Sequence, residues 1–258
     1  MNASPTDSIS QHLSAAIKDG KSILMMDESR EIVDLAGIPL NKSGLAKSWQ
    51  EAVELANKIG YPLVMKVVSP QVVHKTDAGG VKINITSEDE VIKSYNEINI
   101  SVKEKFPDAE IKGVLLEEMV HGPEFIVGTA FDSQFGHMIM FGVGGIFVEV
   151  YKDVTFRLVP ITAGDAKDML SEIKGKPLLE GVRGLPKADT DQLINILMKV
   201  SNLVNNHPNI REMDLNPIVV TENGIVAVDV KIVLNQPEET EGEGGVKEMI
   251  EQIRKINY

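Results

Sequence analysis

Apolar positions along the chain recur with two different periods, and the two alternate for most of its length. Over residues 8–18, Ile9, Leu13 and Ile17 fall on one face of a helix. Residues 48–59 repeat this with Trp49, Val53, Ala56 and Ile59, until Gly60-Tyr61-Pro62 ends the pattern. Helical spacing returns over 87–105, 164–173 and 189–204; in the last, Leu193, Ile196, Leu197, Val200 and Leu203 form the stripe. Between these lie short apolar runs that read as strands: 63–68, 81–85, 111–119, 125–131, 137–141, 146–150 and 154–159. The close spacing from 111 onward predicts an antiparallel meander. Two further strands, 212–220 and 225–231, flank Thr221-Glu222-Asn223-Gly224, where Asn-Gly is a hairpin signal because both residues tolerate positive φ. The sum is an α+β protein with two sheet-containing lobes.

The 258 residues are 43% hydrophobic, enough for a sizeable core in one large domain or two intimate lobes. There are no cysteines, so disulfides and thiolate metal sites are excluded. Residues 1–11 are polar and no run is apolar enough to span a bilayer, which predicts a cytoplasmic protein with no membrane partner. A formal net charge of −12 argues against a nucleic-acid partner. The same charge requires any anionic ligand to be held by local cations, backbone amides and a metal.

Three segments carry chemistry. Lys66 interrupts the apolar run 63–68, either reaching water from an edge strand or meeting an anion. The loop 69–80 follows, with His74, Lys75 and Gly79-Gly80, and then Val81-Lys82. Strand, Gly-rich turn, strand makes a flap whose amides can close over phosphates. It is not a P-loop, and Gly142-Val143-Gly144-Gly145 is not a dinucleotide fingerprint; it is a tight turn or a phosphate contact. Glu117-Glu118-Met119-Val120 runs from a strand into a turn, which suits recognition of a base, and Glu124 can take ribose hydroxyls; each is otherwise a solvated surface position. Finally, Glu212, Asp214 and Asn216 alternate along one strand face, and Asp229 can meet them across the hairpin. Such a group is either a wet polar face or an oxygen cluster for magnesium.

In their order and spacing, these segments resemble the ATP-grasp β subunit of ADP-forming acetyl-CoA synthetase, or acetate–CoA ligase (ADP-forming), a relative of succinyl-CoA synthetase. The resemblance covers roughly residues 19–235. It implies an ATP-grasp fold whose two lobes clamp ATP or ADP with Mg2+. The lobes fall at 21–116 and 117–235, after a helical extension over 1–20 and before an acidic linker and short helix over 236–258. It implies that Lys66 contacts the phosphates, that the His74–Lys75 loop closes over them, and that Lys82 and Arg157 add charge. Glu117 and Val120 take adenine through their backbones, Glu124 takes the ribose, and Asn216 and Asp229 hold magnesium with Asp214 beside them. A phosphohistidine from a separate CoA-binding α subunit enters beside Gly144 and Gly145, in a complex of two α and two β chains, and His74 can relay the phosphoryl group. Two rival readings are a single-chain ATP-grasp carboxylate ligase and a non-catalytic nucleotide-sensing subunit of an acyltransferase.

Overall fold

Local sequence signals set the first elements. In the computed structural model, which describes residues 4–72, 74–145, 153–182 and 184–235, α1 spans Pro5–Lys18 and α2 Met26–Leu35. The first is capped by Ser4, whose hydroxyl accepts from the Asp7 N–H, with proline opening the first turn. Helix α3 (Trp49–Ile59) starts at Ser48 and α4 (Glu88–Lys105) at Ser87, each cap accepting from the amide three residues on.

The chain divides into two compact units. One is residues 41–120; the other takes the described chain up to Leu40 and again from His121. The expected boundaries at 20/21 and 116/117 therefore shift. The reason is visible in the first forty residues: Ile9, Leu13, Ile32 and Val33 are buried in the same core as the C-terminal strands. The Leu24 N–H also donates to the Ile232 carbonyl at 3.0 Å.

Residues 41–120 hold a four-stranded antiparallel sheet in the order β1-β4-β2-β3, with β1 Ser43–Ala46, β2 Leu63–Val68, β3 Val81–Ile85 and β4 Gly113–Glu118. Helices α3 and α4 cover one face. Leu63, Met65, Val67, Val114 and Leu116 point into that core, so period-two alternation turns Val64, Lys66, Leu115 and Glu117 to the other face.

The other unit is built on a six-stranded sheet, ordered β10-β8-β5-β6-β7 with β9 also on β8. The strands are β5 Glu124–Asp132, β6 Gly136–Val143, β7 Val154–Leu158, β8 Ile210–Thr221, β9 Gly224–Ala227 and β10 Val230–Leu234. The expected meander is present as β5-β6-β7. The expected strand 225–231 is two strands with a break at 228–229, and the expected strand 146–150 and terminal helix lie outside the described residues. On one face pack α5 (Ala163–Glu172), the short α6 (Lys176–Leu179) and α7 (Thr190–Asn206), with the α7 stripe Leu193, Ile196, Leu197 and Val200 meeting Phe125, Val127, Ile139 and Leu215. A smaller apolar cluster, Ile126, Ala130 and Met140 with Val154 and Phe156, lies on the opposite face.

Candidate site residues in each unit

In residues 41–120, strand parity decides which cations serve the face away from the helices. Lys66 lies on that face of an interior strand, and its Nζ is 2.8 Å from Glu117 Oε2; the two side chains are 12% and 2% exposed. The lysine is thus not an edge residue reaching for water. A desolvated pair in this geometry is expensive to break, because the remaining charge keeps its desolvation cost.

Lys82 is placed differently. It pairs with Met65 on the helix-covered face, and its Nζ meets Glu97 Oε2 of α4 at 2.6 Å. The register slips between Leu63 and Met65, and Asn84 has φ of +57°, so Ile85 and Lys82 end on the same side. Lys82 is not brought to Lys66.

The flap is also more committed than its glycines suggest. Val72 and Ala78 are buried in the core. The Gly79 N–H donates to Thr76 O at 2.9 Å, and the Gly80 N–H to Lys75 O at 2.8 Å, so these amides close the turn itself. Gly79 has φ of +69°, and a Cβ there would lie 2.2 Å from Ser101 Oγ; the glycine lets the loop settle on α4. His74 is exposed and Lys75 half-buried.

The segment beyond β4 is partly spent. The Glu118 N–H donates to Lys42 O at 2.8 Å, the Met119 N–H to Pro62 O at 3.0 Å, and Asn41 Nδ2 donates to Glu118 O at 2.9 Å. Among the described residues no partner is found for the Val120 N–H or carbonyl.

In the other unit, the oxygen-bearing residues gather on the face opposite α7. Met213 and Leu215 are buried against the helices, and Glu212, Asp214 and Asn216 alternate to the other side. Ile218 and Val220 are again core residues, so the alternation slips by one at Asn216–Pro217. Lys231 stands directly across from Asp214 on β10. The Asn216 N–H donates to the Asp229 carbonyl at 3.1 Å, which sets these two residues opposite each other.

Asp214 is strongly perturbed. The residue keeps some exposed surface, but its Oδ1 is buried and has no hydrogen-bond partner among the described residues. Desolvation pushes its carboxyl up to about 7; Lys231 opposes the rise, and Asp229 and Glu212 add to it. An orphaned carboxylate oxygen crowded by other carboxylates is relieved by a cation, so this group fits a hard divalent metal. Among the described residues no three His, Cys, Asp or Glu side chains converge. The donor set is therefore poor in protein ligands, as suits Mg2+, which keeps waters and takes phosphate oxygens beside one or two carboxylates.

Gly144 and Gly145 sit against Glu124. The Gly144 N–H donates to Glu124 O at 2.7 Å, and a Cβ on Gly144 would lie 3.0 Å from the Glu124 carbonyl carbon. Gly145 has φ of +66°, with Glu124 Oε2 3.1 Å from the place of its absent Cβ. Arg157, in contrast, is not brought to this group. It pairs with Ile139 on the helix face, donates to Glu172 Oε1 at 2.6 Å, and donates to Phe156 O at 2.8 Å. In β7 it is Val154 and Phe156 that turn to the other side. The sequence also gave no notice of two buried polar residues, Arg30 and Asn41, that brace these segments; Pro217, a donor missing from an interior strand, was the available clue.

The ATP-grasp domain family matches residues 15–234. The chain belongs to the ATP-grasp family, whose domains bind nucleotide. Among its relatives, the β subunit of acetate–CoA ligase [ADP-forming] II from Pyrococcus furiosus is 46% identical over 222 residues, covering 84% of this chain and 94% of that one. Within the family the chain belongs with the β subunits of ADP-forming acetate–CoA ligases. It spans 30% of the 4-hydroxybutyrate–CoA ligase [ADP-forming] of Nitrosopumilus maritimus, to which it is 47% identical over 208 residues and 80% of its own length. A solved acetyl-coenzyme A synthetase 1 from Ca. Korarchaeum cryptofilum, in complex with coenzyme A and Ca-AMPCP, is 43% identical with a TM-score of 0.82, covering 86% of this chain and 98% of that chain. Another structure of that enzyme, at 38% identity and a TM-score of 0.78 over 88% of this chain and 100% of that one, holds Mg-AMPPCP, with its phosphohistidine segment pointing towards the nucleotide binding site.

Proposed function

We propose that this chain is the nucleotide-binding subunit of an ADP-forming acyl-CoA synthetase, passing a phosphoryl group between a phosphohistidine on a separate α subunit and ADP. The observation that carries the reading is the buried Asp214 Oδ1, without a hydrogen-bond partner among the described residues and beside Asn216 and Asp229, in a chain of this family. The chain covers nearly all of the P. furiosus β subunit, and under a third of the N. maritimus ligase. Two copies of each subunit form the complex.

In this reading Asp214, Asn216 and Asp229 hold Mg2+, which neutralises charge on the nucleotide phosphates when bound. Lys66 exchanges part of its contact with Glu117 for a phosphate oxygen. Glu117 and Val120 take adenine through their backbones, with the Glu118 and Met119 amides already occupied, and Glu124 takes the ribose. Gly144 and Gly145 give an incoming side chain close access to the backbone. In the transfer, the N–P bond of the phosphohistidine breaks as a β-phosphate oxygen of ADP forms the new P–O bond, and the imidazole nitrogen keeps the electron pair. Transfer of this kind depends on positioning and charge neutralisation more than on covalent help. His74 and Lys75, on the loop, take the phosphoryl group in relay or screen it in passage. Lys82 and Arg157, each committed to a glutamate on a helix, have no part in the transfer.

The test is to phosphorylate the α partner with labelled phosphate, add this chain with ADP and Mg2+, and follow label into ATP. Transfer is expected only with both chains present. ATP-dependent ligase activity from this chain alone, or nucleotide binding with no transfer under any pairing, would overturn the reading. His74→Ala should slow transfer; an unchanged rate removes His74 from the path.

A further inference from the structure

A proline stands inside β8, a strand with neighbours on both sides. Interior strands exclude proline because it has no N–H for the ladder. On the hairpin side one bond of the pair survives: the Val228 N–H donates to the Pro217 carbonyl at 3.0 Å. Its reciprocal, from the nitrogen of residue 217 to the Val228 carbonyl, cannot form. Arg30 of α2 supplies the missing donor, with Nη1 2.6 Å from the Val228 carbonyl oxygen and the residue only 5% exposed. That carbonyl belongs to the peptide whose nitrogen is that of Asp229. The guanidinium therefore fixes the peptide plane that leads into Asp229, at the point where the strand alternation slips and Asn216 faces it.

From this geometry we propose that Arg30 is a positioning residue for divalent-metal binding, holding Asp229 opposite Asn216 by replacing the ladder bond that Pro217 cannot make. The proposal rests on the reading of Asp214, Asn216 and Asp229 as the metal group. Asp27, one turn before Arg30 on α2, shares its side of the helix, and its buried Oδ1 has no hydrogen-bond partner among the described residues. An apolar side chain at position 30 would deprive the carbonyl of half-buried Val228 of this donor, leaving its peptide free to rotate toward another.

The experiment compares the full chain with Arg30→Met and Arg30→Lys by calorimetry. MgCl2 is titrated in the presence of ADP, and ADP is titrated separately in EDTA. Arg30→Met is expected to weaken metal binding about 10–100-fold, the range found when a residue that orients a ligand is removed, with ADP affinity in EDTA unchanged and Arg30→Lys restoring most of the loss. Wild-type metal affinity in Arg30→Met overturns the proposal, as does an equal loss of metal-dependent and metal-free ADP binding. If Arg30→Met shows no cooperative melt, Arg30→Gln takes its place, its amide being too short to span the gap; a glutamine variant with wild-type metal affinity overturns the proposal equally. A wild-type chain that gains nothing from Mg2+ would instead remove the metal reading itself, and the two failures are thus distinct.

Discussion

Replacing Asp214 by asparagine should stabilise the metal-free protein at neutral and alkaline pH. The carboxyl rises from 3.8 to about 7, chiefly through burial and further through Asp229 and Glu212, with Lys231 opposing. The sign follows from proton counts. Below pH 3.8 the folded and unfolded chains both hold the proton, and Asp214 costs nothing. Between 3.8 and about 7 only the folded chain holds it, so stability falls as pH rises. Above about 7 both have lost it, and the folded chain carries a buried charge whose cost no longer changes. At about 1.4 kcal/mol per tenfold difference in proton affinity, that interval amounts to at most about 4 kcal/mol. The assay is urea denaturation in EDTA, at pH 5, 6 and 8, of wild type and Asp214→Asn. The variant should exceed wild type most at pH 8, and the gap should close toward pH 5. Adding Mg2+ and ADP should raise wild type alone, because bound cation stabilises by mass action only where its ligands survive. Parallel pH curves for the two proteins would refute the reasoning.

Other outcomes follow from the same geometry. Lys66→Met should destabilise residues 41–120 by about 3–5 kcal/mol, as expected for half of a buried ion pair, and adding Glu117→Gln should return part of that loss in a double-mutant cycle read by chemical denaturation. Arg157→Gln should leave ADP affinity unchanged by calorimetry, and remove at most about 1 kcal/mol of stability, since its pair with Glu172 is partly exposed. Gly79→Ala should cost roughly 1–3 kcal/mol, from a left-handed φ and a Cβ set against Ser101, measured as a lowered urea midpoint; an unchanged midpoint would show that the loop is not held against α4.

Much of the fold was legible because period and caps agree. The ladders 63–68 and 81–85 coincide with β2 and β3, and Ser48, Ser87 and Asp189 mark where helices begin. Helix α2 was not legible: its apolar pair Ile32 and Val33 is too brief to set a period, and its buried Ser29 and Arg30 read as surface residues. Strand β1, Ser-Gly-Leu-Ala, has no strand-forming residues and is held as an edge by β4. Among the candidate site residues, Lys66, Asp214 and Asn216 interrupt the apolar strands β2 and β8 as the pattern indicated, whereas Asp229 falls in the break between β9 and β10. The pattern could not say which side Lys82 and Arg157 face. In both strands the apolar positions alternate with the cation, which suggests an inward apolar side. Yet Ile83 is 66% exposed while Lys82 turns to α4, and Val154 and Phe156 turn from the main core while Arg157 turns to α5. A slipped register in one case and a second apolar cluster in the other reverse the sense of the pattern.

Residues 41–120 enter and leave at neighbouring points, for Lys42 O accepts from the Glu118 N–H and Asn41 Nδ2 reaches Glu118 O. A length of chain whose two ends are stitched together can be lengthened, exchanged or excised as a cassette, and its host then has only one seam to close. The first forty residues, written ahead of the cassette, are needed to finish the host. During synthesis they must wait until the ribosome has passed the whole interruption before β8 and β10 exist to receive them.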